Sequence, residues 1–195
     1  MKIGILGGTF DPPHNGHLAL GHTALEQLGL DEVMYLPAFR NPLKKLKQTP
    51  ARVRLDMVQL AIRDEPKFSV SDIDIMRGGP SYALDTVSEL IHVQPAEYWF
   101  IMGSDSLKTI SEWKQPEKLL KHCRLGVVLR SKQDKGQLLE PLPVYVPPAI
   151  DWIEMPPVEI SSTELRQLLD RGRVTDPWIK PQVLQYIAKN HLYRS

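Results

Sequence analysis

Apolar positions in this chain fall into short unbroken runs that alternate with stretches where they recur every three or four residues. Residues 2–6 read as a buried first strand, Lys2-Ile3-Gly4-Ile5-Leu6, with Gly4 leaving room for a closely packed helix. Gly7 and Gly8 follow, suited to a tight turn that a side chain would obstruct. Residues 15–28 carry Leu18, Leu25 and Leu28 on one stripe, which predicts a helix with Asn15 as its cap and Gly29 as its stop. Residues 32–36 form a second strand candidate ended by Pro37. Strand, helix and strand in that order predict a right-handed parallel crossover.

The next stretch, residues 38–50, is a basic loop interrupted by proline and containing Arg40, Lys44, Lys45 and Lys47. Helical spacing resumes over 52–63, where Leu55, Val58 and Ile62 share a face widened by Val53, Met57 and Leu60. A short strand is expected at 68–71, a helix at 82–93, and strands at 97–102 and 125–129, the last closed by Arg130. Residues 141–157 are irregular and rich in proline, with short strands expected around Val144-Tyr145-Val146 and Trp152-Ile153-Glu154. Helices are expected again at 160–169 and 181–188. This alternation predicts an α/β fold: a mostly parallel sheet, helices on its faces and a terminal helical segment. Loops at the carboxyl ends of the strands should form the ligand crevice. No repeat or long linker calls for a second unit, so residues 1–195 are read as one domain.

Composition narrows the function classes. A chain of 195 residues with 42% hydrophobic and 24% charged residues is an ordinary globular sequence. Its formal charge of +1 provides no broad field to draw it to nucleic acid or a membrane, so neither is expected as a partner. Cys123 is the single cysteine, which rules out an internal disulfide framework. The opening Ile/Leu run is broken by glycine and proline before a signal segment could develop. No span or anchoring motif is evident, and a cytoplasmic location is expected.

The first candidate site is the stretch Gly7-Gly8-Thr9-Phe10-Asp11-Pro12-Pro13-His14-Asn15-Gly16-His17. It places a glycine-rich strand end, a helix start and two imidazoles together. First-turn amides are unpaired donors and the helix dipole favours anions, so this is a place to hold a phosphate-bearing substrate. Read by themselves, His14 and His17 would serve equally as a helix cap and a solvated loop. The nucleotide fingerprints GxGxxG and GxxxxGK[ST] are both absent, which argues against a simple dehydrogenase or a P-loop ATPase. A second candidate is Ser161-Ser162-Thr163-Glu164-Leu165-Arg166, where Ser161 can cap a helix and Arg166 brings a positive charge from the next turn.

Together with Gly103-Ser104-Asp105 and the following Trp113, these two blocks closely resemble the bacterial nicotinate-nucleotide adenylyltransferases, in family order and over almost the whole chain. The resemblance implies a Rossmann-like nucleotidyltransferase fold. It also implies transfer of AMP from ATP to nicotinate mononucleotide, yielding nicotinate adenine dinucleotide and pyrophosphate. It casts His14 and His17 as the catalytic pair, which position ATP phosphates and stabilise the transition state without acting as a general base. By the same resemblance Gly7, Gly8, Thr9, Phe10, Ser161, Ser162, Thr163 and Arg166 bind ATP. Lys44 joins them through Asn41-Pro42-Leu43-Lys44, which is similar to a Pro-Pro-His-Lys segment of the family but departs from it at Leu43, leaving Lys45 or Lys47 as substitutes for Lys44. Arg130 also matches an ATP-contacting position.

For the acceptor, the resemblance implies Trp113 as an aromatic platform for the pyridine ring and Asp105 as a partner of ribose hydroxyls. Tyr82, Asp85 and Thr86 match a mononucleotide-binding block, with Ala83 in place of its threonine, and Thr86 is the expected donor to the pyridine carboxylate. Magnesium is expected as MgATP, with ATP a substrate and no protein metal site. The nearest alternative within related enzymes is a phosphopantetheine adenylyltransferase. A cytidylyltransferase and a nucleotide-binding regulator without transfer activity are the other readings.

Overall fold

The computed structural model describes residues 1–42, 48–129, 138, 150–156, 158, 160–173 and 177–194. Lys44, Arg130 and the expected strand at Val144-Tyr145-Val146 lie outside these residues. Six strands, β1 (Lys2–Gly8), β2 (Glu32–Pro37), β3 (Phe68–Val70), β4 (Glu97–Gly103), β5 (Arg124–Leu129) and β6 (Ile150–Glu154), form one sheet in the order β3-β2-β1-β4-β5-β6. Every neighbouring pair is parallel. The order reverses direction between β1 and β4, and a crevice opens at the carboxyl ends of such a pair.

Alternation along β1 divides the core. Ile3 and Ile5 pack on one side of the sheet with Leu84, Val87 and Leu90 of α4 (Ala83–Val93) and Leu119 of α6 (Pro116–His122). Leu6 packs on the other side with Leu18 and Ala24 of α1 (Asn15–Leu28) and Met57 and Val58 of α2 (Ala51–Ala61). Val183 and Ile187 of the last helix, α8 (Pro181–Lys189), join that second side. A strand buried on both faces needs apolar residues at successive positions, which is why these strands read as runs. At Gly4 the close neighbours are side chains, Ile101 Cδ1 and Leu30 Cδ1, which would lie 2.6 and 2.7 Å from an added Cβ.

Helix α1 spans the residues the periodicity assigns to it, and Gly29 ends it in the left-handed region at φ 59°. Its cap differs from expectation. His14 holds the extended backbone of the N-cap, and Asn15 is the first helical residue. The Asn15 side-chain amide donates to Pro177 O and its backbone N–H to Trp178 O (2.8 Å), which ties the helix start to the far end of the chain. Gly7 and Gly8 also differ, since both are paired within β1 and the turn begins only beyond them. Sequence periodicity did not reveal the short helices α3 (Ile73–Arg77) and α5 (Ser104–Leu107), the 3-10 turn at Ile110–Glu112, or α6. Pieces of three to seven residues are too brief to display a helical repeat.

Candidate active site

Phe10, at the turn after β1, takes the left-handed region at φ 50°, and the Asp11–Pro12 peptide is cis. Its ring is 2% exposed and packs edge-on to His17 with centroids 4.9 Å apart. A Cβ at Gly8 would meet that ring at 2.9 Å, so glycine lets the strand end lie directly against it. The Phe10 side chain therefore belongs to the core. His14 and His17 stack with centroids 3.8 Å apart. The His14 backbone N–H donates to His17 Nδ1 at 3.1 Å, so a neutral His17 carries its proton on Nε2. Burial of the His14 ring holds its pKa down at about 4, which keeps that imidazole neutral near pH 7.

A buried frame that sequence reasoning missed supports this loop. Arg54 is 0% exposed. It donates to Thr9 O (2.6 Å), Ala38 O (2.7 Å), Phe39 O (3.0 Å) and Thr49 O (2.8 Å), which joins the chain beyond β1 to that beyond β2. Burial lowers its pKa, while the neighbouring Asp11 carboxylate and Tyr193 act in the opposite direction. Asp11 in turn accepts from the Tyr193 hydroxyl at 2.6 Å and the Thr49 N–H at 3.1 Å. A sequence signal existed for Arg54. It shares the apolar face of α2 with Met57, Val58 and Ala61, where an arginine needs a reason to be buried.

The second block reaches the same loop. Helix α7 (Ser162–Asp170) starts at Ser161, whose hydroxyl accepts from the Glu164 N–H at 3.3 Å while the Glu164 carboxylate accepts from the Ser161 N–H at 2.8 Å. This reciprocal cap gives Glu164 a part in supporting the helix start. The Ser162 hydroxyl donates to Pro12 O at 2.9 Å, and Arg166 donates to Asp11 O at 2.7 Å and to Thr163 Oγ1 at 3.2 Å. Two segments 150 residues apart thus share one hydrogen-bonded corner.

At the other end of the crevice Tyr82 caps α4 through its backbone, and its carbonyl accepts from the Thr86 N–H at 3.2 Å. Thr86 is 2% exposed, and its hydroxyl meets the Asp74 carboxylate, where a free donor had been expected. Asp85 is held by Lys114 Nζ at 2.8 Å from each carboxylate oxygen, and that ammonium lies 5.0 Å over the Tyr82 ring. Trp113 sets its ring edge-on to Phe100 at 5.6 Å. Asp105 is exposed on α5, with Lys108 Nζ 3.7 Å away.

A cavity of about 820 Å³ connects these pieces. Gly7, Gly8, Thr9, Phe10, His14 and His17 line it beside Ser161, Ser162, Thr163 and Arg166, and Tyr82, Thr86 and Trp113 line its far end. Asp85 and Asp105 are absent from that lining, whereas Asp74, Ser81 and Lys114, which sequence reasoning did not select, belong to it.

A family model described as cytidylyltransferase-like matches residues 5–168. A probable nicotinate-nucleotide adenylyltransferase of Exiguobacterium sibiricum is 41% identical over 197 residues, covering 99% of each chain. One of Thermus thermophilus is 40% identical over 195 residues, covering 100% of each. The chain belongs to the nicotinate-nucleotide adenylyltransferase family. Its fold is that of solved family members. A Plasmodium falciparum nicotinic acid mononucleotide adenylyltransferase complexed with NaAD superposes with a TM-score of 0.79 at 22% identity, over 98% of this chain and 97% of that one. A Vibrio parahaemolyticus structure described as a nicotinate-nucleotide adenylyltransferase gives 0.67 at 20% identity, over 100% and 96%.

Proposed function

We propose that this family member transfers AMP from ATP to nicotinate mononucleotide, releasing pyrophosphate and forming nicotinate adenine dinucleotide, with residues 1–195 acting as one nucleotidyltransferase domain. The observation that carries the reading is the single cavity. It has paired imidazoles and a capped, arginine-bearing helix start at one end, and an aromatic and hydroxyl-lined recess at the other.

In the proposed reaction an oxygen of the acceptor's phosphate attacks the α-phosphorus of ATP. The bond from that phosphorus to the bridging oxygen breaks, and pyrophosphate leaves with the electron pair. The nucleophile is already an anion, so no side chain has to remove a proton. What this chain supplies is placement and charge compensation. His17, with its Nε2 proton directed away from the helix cap bond, donates to a phosphate oxygen. The neutral His14 does the same, while Ser162, Thr163 and Arg166 receive the departing phosphates. Lys44 and Arg130 add positive charge to that end. At the other end Trp113 stacks on the pyridine and Tyr82 and Thr86 bound it, while Asp85, off the cavity lining, holds Lys114 in place and Asp105, also off it, would reach only a ribose hydroxyl that extends beyond the lining. ATP is taken up as its magnesium complex, its own phosphates providing most of the metal's oxygen ligands. Among the described residues no group of three His, Cys, Asp or Glu side chains is set to hold a metal ion. Among the described residues no helix is long and apolar enough to cross a membrane, and the reading is of a cytoplasmic enzyme.

The test is an assay that follows both pyrophosphate and dinucleotide with ATP and purified acceptors. Nicotinate mononucleotide should be used in preference to phosphopantetheine, and exclusive use of the latter would overturn the assignment. In the same assay, His17→Ala should lower turnover at saturating substrates roughly a hundredfold, about 3 kcal/mol of lost transition-state stabilisation. Near-normal turnover of the folded variant would remove His17 from the chemistry.

A further inference from the structure

Thr86 does not stand alone in the recess. Its Oγ1 donates to Asp74 Oδ1 and accepts from Arg77 Nη2 at 3.1 Å, while the same Arg77 nitrogen donates to Asp74 Oδ1 at 2.7 Å. Asp74 is 5% exposed, and both Asp74 and Thr86 line the cavity that also receives Trp113. Arg77 Nε donates to Glu89 at 3.0 Å, and its Nη1 is buried without an acceptor among the described residues. Lys114, which lines the cavity where Arg77 does not, is held by both oxygens of Asp85.

This arrangement bears on how the recess reads the substituent of a pyridine ring. A hydroxyl has one proton, and a carboxylate is the strongest acceptor within its reach. In the observed geometry two acceptors lie within reach of that proton, Asp74 Oδ1 and the Tyr82 carbonyl at 3.2 Å, and the charged carboxylate is the stronger. A ring carboxylate brought to Thr86 would meet an oxygen whose proton is already used, with the Asp74 charge behind it. A ring amide would meet no such repulsion and could donate an N–H to the same oxygens. Arg77 changes the balance because its guanidinium can hold Asp74 alone, which frees the Thr86 proton to turn toward the cavity.

We propose that Arg77 and Asp74 together set the preference for the acid over the amide form of the acceptor, with Arg77 favouring the acid and Asp74 opposing it. Arg77 is a positioning residue in this scheme and acts through Thr86. The inference rests on nicotinate mononucleotide being the acceptor.

The experiment compares kcat/KM for nicotinate and nicotinamide mononucleotides in the full-length protein and in Arg77→Met, Arg77→Lys, Asp74→Asn and the Asp74→Asn/Arg77→Met double variant, each checked for folding by its thermal transition. Arg77→Met should lower the acid-to-amide ratio about tenfold, the scale of one charge-assisted hydrogen bond. Asp74→Asn should raise the ratio, Arg77→Lys should restore most of it, and the double variant should return toward the parent value. Where a variant turns over too slowly, dissociation constants for the two mononucleotides replace the kinetic ratio. A purely structural role would reduce both substrates in parallel, and a ratio unmoved by both single variants overturns the inference while leaving the proposed function intact. If the unmodified protein forms no dinucleotide from nicotinate mononucleotide, both readings fall.

Discussion

At the scale of single residues the burial of His14 departs from the ordinary behaviour of a histidine. Its ring lies against Gly16, where a Cβ would come within 2.9 Å of His14 Nδ1, and it stacks on His17. Burial disfavours the imidazolium and lowers the pKa from 6.5 to about 4. The unfolded chain therefore takes up this proton at a higher pH than the folded chain does. Stability from the neutral ring is complete above pH 6.5 and is lost progressively as pH falls from 6.5 toward 4. Ring proton shifts of His14 measured by NMR should stay flat from pH 8 to about 5 and titrate near 4, whereas a midpoint close to 6.5 would mean that the ring is solvated. The proposed role would then have His14 act as a neutral hydrogen-bond donor and not as a full charge.

At the scale of elements, the ends of α1 show two kinds of local control. Its start is set by tertiary contacts, because Asn15 is anchored to Pro177 and Trp178 and His14 takes the cap position. Its end is set by chain conformation alone. Gly29 sits at φ 59°, and a Cβ added there would have no atom within 4 Å. Replacing Gly29 by Ala should therefore cost about 1 kcal/mol through backbone strain with no clash, and adenylyl transfer should be unaffected. Chemical denaturation checks this, and an unchanged or increased stability would show that the turn relaxes. Gly29 was readable as a stop because its requirement is local. Asn15 resembled a cap by residue type, yet type does not reveal which residue the rest of the fold will hold.

At the scale of the whole molecule, Arg54 joins the chain beyond β1, the chain beyond β2 and Thr49, while Tyr193 closes on Asp11 from the carboxyl-terminal end. Arg54→Met would leave four carbonyls without this donor and would remove one of the cations beside Asp11, where Arg166 remains. It should destabilise the fold by about 3 kcal/mol. The urea midpoint measures this, and a loss below about 1 kcal/mol would show that water or other donors take over. By itself the sequence determined the strands and long helices of the described residues and marked the two blocks as candidates. These depend on short-range periodicity, glycine stops and residue types at fixed spacing, and resemblance to a family then linked the blocks. Tertiary structure alone decided that Ser162 and Arg166 bond to Pro12 and Asp11, that Asp74 rather than solvent meets Thr86, and that Asp85 and Asp105 lie off the cavity lining. Those outcomes depend on distances between segments far apart in the chain. Only packing around the sheet sets such distances, and no local pattern of residues encodes them.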